Sequence, residues 1–122
     1  MPIKTFDDRM VRGQTWRATL TVKDERGARV DLTGASAYLR VRPDVKAPPV
    51  VSKSSPSTGI AIATQSGSTL GQFIATLSPS DTADLPAGDY LWDAWIIDSA
   101  GDHWPVVAPS KLTIIPEVTT LP

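Results

Sequence analysis

Leu85-Pro86-Ala87-Gly88-Asp89-Tyr90-Leu91-Trp92-Asp93-Ala94-Trp95-Ile96-Ile97-Asp98 holds the signals that decide the fold of this chain. Pro86 and Gly88 stop whatever precedes them and turn the backbone. From Tyr90 onward the residues alternate. Tyr90, Trp92, Ala94 and Ile96 fall on one face, and Leu91, Asp93, Trp95 and Ile97 on the other. Asp93 marks the second set as the outward one. The first set is therefore expected in the core, with Leu91, Trp95 and Ile97 facing solvent. Asp98-Ser99-Ala100-Gly101-Asp102 reads as a tight hairpin turn, and His103 to Val107 returns from it.

Working outward, the same period recurs. Trp16, Ala18, Leu20 and Val22 share one face of a strand over Thr15 to Lys23, opposed by Arg17, Thr19, Thr21 and Lys23. Ala37, Leu39 and Val41 alternate with Tyr38, Arg40 and Arg42 in a strand over Ser36 to Arg42, which Pro43 ends. Shorter strands are predicted at Ala28 to Leu32, Val50 to Ser54, Gly59 to Ala63 and Lys111 to Ile115. Gly71 to Leu77 should turn Phe73, Ala75 and Leu77 inward. Ser78 to Leu85 is the one helix candidate, with Ser78 as cap, Pro79 in the first helical position and Asp81 in the first turn. The pattern predicts an all-β antiparallel sandwich of about seven to nine strands with one short helical turn.

The chain has 122 residues, which suits one domain with a core of its own. Proline is frequent, at 11 residues, and argues against long helices. There is no cysteine, so disulfides, thiolate metal sites and cysteine nucleophiles are excluded. Net charge is −1 and the arginines are scattered, which is unlike the basic stripe of a nucleic-acid binder. The first residues carry no apolar secretory segment, and no apolar run is long enough for a bilayer. The expectation is synthesis in the cytoplasm, with no nucleic-acid and no membrane partner.

Catalytic signatures are missing. The single histidine, His103, sits beside a turn and reads as a surface residue. Gly34-Ala35-Ser36-Ala37 lacks the second glycine of a nucleophile elbow. Gly67-Ser68-Thr69-Leu70-Gly71 lacks the lysine of a phosphate cradle. Asp98, Asp102 and His103 lie close in sequence, as do Asp7 and Asp8, yet neither group has zinc or calcium spacing. No catalytic residue, metal or cofactor is assigned, and the chain is expected not to be an enzyme.

Two stretches carry a family resemblance. One is Asp31-Leu32-Thr33-Gly34-Ala35-Ser36-Ala37-Tyr38-Leu39-Arg40-Val41-Arg42-Pro43. The other runs from Leu77-Ser78-Pro79-Ser80-Asp81 through Leu85-Pro86-Ala87-Gly88-Asp89-Tyr90 to Asp93, and on later to Thr113-Ile114-Ile115-Pro116-Glu117. Together they resemble a group of short phage and prophage proteins with an immunoglobulin-like fold, and are similar in pattern to the amino-terminal domain of the phage baseplate upper protein. Gly88 and Tyr90 match the tyrosine corner of such sandwiches. The tryptophans are more numerous than in that group, and the stretch from Ser52 to Ser57 is longer. The resemblance implies one immunoglobulin-like domain over 1–122, with flexible or partner-bound ends near 1–10 and 116–122. It also implies a structural role in a bacteriophage virion assembled in the host cytoplasm: tail or baseplate first, neck or capsid decoration otherwise. Partners would be other virion proteins and further copies of the chain.

Leu91, Trp95, Ile97 and Trp104 are the candidate protein interface. Trp104 joins the patch only in one of two hairpin registers, because a one-residue slip reverses every face. The competing reading has Trp95 covered by the segment Ile3 to Val11 or by the tail. A different function, glycan binding by an adhesin-type module, would need Trp95, Trp104 and Asp102 along one shallow groove.

Overall fold

The computed structural model describes residues 5–55 and 58–119. Expectations that rested on Ile3, on the loop residues 56 and 57, or on the tail from 120 onward lie outside these. Among the described residues, eight strands form two sheets. In order they are β1 (Asp8–Val11), β2 (Trp16–Thr21), β3 (Ser36–Arg42), β4 (Val51–Ser54), β5 (Ile60–Ile62), β6 (Gln72–Leu77), β7 (Gly88–Ile97) and β8 (His103–Ile115). The larger sheet has the order β1-β8-β7-β3-β4 and the smaller one β2-β6-β5. This is the immunoglobulin-like arrangement: a hairpin and its neighbour, extended by one strand on each side, face a three-stranded sheet.

The alternating residues behave as the period dictates. Tyr90, Trp92, Ala94 and Ile96 are all buried, as are Trp16, Ala18 and Leu20, Ala37, Leu39 and Val41, and Phe73, Ala75 and Leu77. These four sets interdigitate between the sheets and make the core. Trp92 follows Tyr90 by two places, where antibody domains carry a disulfide cysteine. Here the bridge between sheets is aromatic instead. The rings of Trp92 and Trp16 meet edge-on with centroids 5.4 Å apart, and Phe6 meets Trp92 edge-on at 5.8 Å. Both indole N–H groups are satisfied: Trp92 Nε1 donates to the Phe6 carbonyl at 3.0 Å, and Trp16 Nε1 to Asp8 Oδ2 at 2.8 Å.

Tyr90 completes its corner by donating its hydroxyl to the Pro86 carbonyl at 2.7 Å. Burial pushes the phenol pKa up, more than the nearby Arg12 draws it down. Tyr90→Phe removes that donor and leaves a carbonyl unmatched at the corner. The expected loss is about 1–2 kcal/mol in urea unfolding, with no change in the slope of the transition.

Several details differ from the sequence reading. The segment near 1–10 is not a loose end in its described part. Residues 8–11 form β1, parallel to β8, because Asp7 accepts from the Lys111 N–H at 2.8 Å and Phe6 docks on Trp92. Ala28 to Leu32 forms no strand, only the bridge Lys23↔Arg29 beyond the turn. The helix is the one short turn expected, but it ends at Thr82 rather than Leu85, since Leu85 and Pro86 already belong to the corner. Burial pushes the Asp81 carboxyl up, but the Lys53 ion pair at 2.8 Å and the Ser78 N–H outweigh it. The group ends below its usual range. His103–Val107 and Lys111–Ile115 are one continuous strand rather than two. Two register shifts against β7, flanking Ala94, absorb the irregularity of a strand that carries Pro105 and Pro109.

Candidate functional site

The outer face of the five-stranded sheet is built on β3 and β7. Residues directly opposite each other share a face, and the register pairs Tyr38 with Trp95, Ser36 with Ile97, Arg40 with Asp93 and Arg42 with Leu91. Across β8, Trp95 stands opposite Pro105 and Ile97 opposite His103. Trp95 is 39% exposed, large for a tryptophan in the middle of a sheet. Leu91, Ile97 and Tyr38 are half-buried beside it. The result is an apolar stripe of Tyr38, Trp95, Ile97 and Pro105, with charge along one side.

That charge is held in place. The Arg40 guanidinium lies over the Tyr38 ring, 5.7 Å from its centroid, and donates to the carbonyls of Leu39 and Lys53 at 3.0 and 2.9 Å. Arg42 donates to the Ala47 carbonyl at 2.8 Å and so ties down the loop after β3. Asp93 accepts from Trp95 Nε1 at 3.2 Å. Between Arg40, Arg42, Val45, Leu91, Asp93 and Pro109 the face dips into an open depression of about 130 Å³. Small-molecule pockets usually measure about 300–1,000 Å³, so this face offers area rather than an enclosure.

The structure separates the four predicted interface residues. Leu91, Trp95 and Ile97 do share the outer face. Trp104 does not: it stands opposite Ile96, a core residue, and its ring packs inward at the end of the sandwich. Its Nε1 donates to Asp98 Oδ2 at 2.9 Å. The other Asp98 oxygen accepts from the N–H groups of Ala100 and Asp102 at 3.0 and 2.9 Å. The Trp104 bond first, and the backbone bonds with it, hold the Asp98 carboxyl below its usual range. Asp98 is thus committed to its own turn. Asp7 and Asp8 are committed likewise, to Lys111 N–H and to Trp16. The groove proposed for glycans, with Trp95 and Trp104 side by side, does not form, because the two rings lie on opposite faces of the sheet.

Neither the described amino-terminal residues nor the start of the tail reaches Trp95. Phe6 lies against Trp92 instead, and Glu117 is drawn to Arg12 by an ion pair of 2.7 Å. Tyr38, Arg40 and Arg42 complete the face and were missed as site residues. Their alternation already set them on one side of a strand, but nothing local shows that this side meets Trp95. No protein-family model matches the chain, and no curated protein matches it.

Proposed function

We propose that this chain is a non-enzymatic structural component of a bacteriophage virion, in the tail or baseplate, and that it works through protein–protein contacts made by the outer face of its five-stranded sheet. One observation carries the contact reading. An antiparallel sheet with one face in the core normally presents polar residues on the other. Here the solvent side of β7 presents Trp95 and Ile97, and β3 adds Tyr38. Exposed aromatic stripes rimmed by arginine have the composition of interface centres. The virion assignment is supported by the resemblance of Leu77 to Asp93 and Asp31 to Pro43 to short phage proteins, on an immunoglobulin-like sandwich.

Trp95→Ala is the test. The side chain makes one weak hydrogen bond and packs across the strands beside Tyr38 and Pro105, so its loss should cost about 1 kcal/mol of thermal stability. Loss of a central aromatic anchor should weaken association by about 2 kcal/mol or more, a factor of roughly 30 in Kd. Incorporation into particles, read by mass spectrometry of purified virions from the producing strain, should fall accordingly. A variant that melts early yet still assembles would show Trp95 to be a core residue and end this reading. Absence of the wild-type chain from purified particles would end the virion assignment.

A further inference from the structure

The edges of the two sheets are not treated alike. An edge strand exposes a row of backbone N–H and C=O groups that can template another strand, and proteins normally blunt such rows. At β1 the outward N–H groups belong to Arg9 and Val11. Both are taken by side chains, Asp8 Oδ1 at 2.8 Å and Gln14 Oε1 at 2.6 Å. The part of β8 beyond β1 carries Pro105 and Pro109, and its Lys111 N–H is taken by Asp7. At β4 the outward backbone groups of Ser54 are taken by Thr58, at 2.9 and 3.0 Å, and two prolines precede the strand. β5 is only three residues long.

β2 has none of these protections. It runs six residues without proline, glycine or bulge, and β6 is its single neighbour among the described residues. Its parity is fixed by the bond from Val22 N–H to the Gly71 carbonyl at 2.8 Å, which turns the even-numbered residues toward β6. The backbone groups of Arg17, Thr19 and Thr21 therefore point away from the sheet, and no described residue bonds to them. Beyond Thr21 the row continues, because the segment at Arg29 pairs with Lys23 from the β6 side.

We infer that β2 is a pairing edge and that its partner is β2 of a second copy, joined antiparallel about a two-fold axis at Thr19. The register follows from the side chains. Only residues of the outward parity can exchange backbone bonds, so the axis must pass through one of them or midway between two. An axis at Thr19 sets Arg17 against Thr21 of the other copy and gives the longest overlap with no like charges opposed. An axis at Arg17 would set that residue against itself. One midway between Thr19 and Thr21 would align the rows but set Arg17 against Lys23. Like charges directly opposite are destabilising in a sheet. Pairing at Thr19 joins the two small sheets into one of six strands, ordered β5-β6-β2-β2-β6-β5, and makes an isologous dimer. It leaves the Trp95 face of each copy open, so a virion subunit would have one contact for itself and another for its neighbours. The inference does not depend on the proposed function.

The experiment uses the full chain and light scattering over a concentration series. Wild type should reach the mass of a dimer. Thr19→Lys sets a charge against its own copy at an exposed position, and should stay monomeric with unchanged circular dichroism. Thr19→Val should remain dimeric, and so should Trp95→Ala, which separates this contact from the proposed one. The chain has no cysteine, so Thr19→Cys supplies a unique thiol. Opposed residues in a hydrogen-bonded pair have Cα atoms about 5.5 Å apart, within the disulfide range. Mild oxidation should link Thr19→Cys into a covalent dimer. Arg17→Cys should not link, since the register separates its two copies by about 14 Å. A wild-type monomer at every concentration, a Thr19→Lys variant that still dimerises, or linkage at Arg17→Cys in place of Thr19→Cys would overturn the inference.

Discussion

Trp92→Ala is expected to lower the thermal midpoint by about 15 °C. The side chain is 1% exposed and touches both sheets. Truncating a buried tryptophan costs about 3–5 kcal/mol through lost transfer energy and the cavity left behind. For a domain of this size each kcal/mol is worth roughly 4 °C. The neighbours cannot close the gap easily. Phe6 and Trp16 both rest edge-on against the lost ring, and the Phe6 carbonyl loses its donor. Release of Phe6 should also loosen the approach to β1. A double-mutant cycle with Trp16→Ala should show the two losses to be non-additive, with a coupling of about 0.5–1.5 kcal/mol for the edge-to-face pair. Additive losses in calorimetry would mean that the two rings act as independent fillers and do not bridge the sheets.

Gly71→Ala should be nearly as damaging, at about 3 kcal/mol, although it adds one carbon. Gly71 sits at φ +78°, where an L side chain costs about 1–2 kcal/mol. Its new Cβ would also lie 2.9 Å from the Val22 carbonyl oxygen and 3.1 Å from that of Val30. Both contacts are backbone, and Val22 is held by its own bond to Gly71, so neither can swing aside. Overpacking of this kind adds about 1–3 kcal/mol. Gly67→Ala is the matched control. It too has positive φ, +57°, but a Cβ there meets nothing within 4 Å. Urea unfolding should find it milder by about 2 kcal/mol. Equal losses would assign the whole effect to backbone conformation and none to the close approach.

These two residues also show how far sequence reading reaches. Trp92 was assigned to the core from alternation alone, because Asp93 breaks the symmetry of an otherwise apolar strand. Gly71 read only as the first residue of a strand, since the carbonyls that crowd it come from Val22 and Val30, some forty or fifty residues earlier in the chain. The interface candidates divide along the same line. Leu91, Trp95 and Ile97 share a parity within one strand, which a sequence displays. Trp104 lies across a turn, where its face depends on register.

By itself the sequence determined the all-β class, the inward faces of the strands at Thr15, Ser36, Gly71 and Tyr90, and the corner at Gly88 and Tyr90. Each follows from a period of two or from turn residues a few places apart, and such information is local. Only the tertiary structure decided that β1 lies parallel to β8, that Tyr38 stands beside Trp95, that Trp104 turns inward, and that β2 has β6 alone as its neighbour among the described residues. Those outcomes depend on which strands become neighbours and in what register. That choice is made by packing the whole core at once, so no single stretch of the chain contains it.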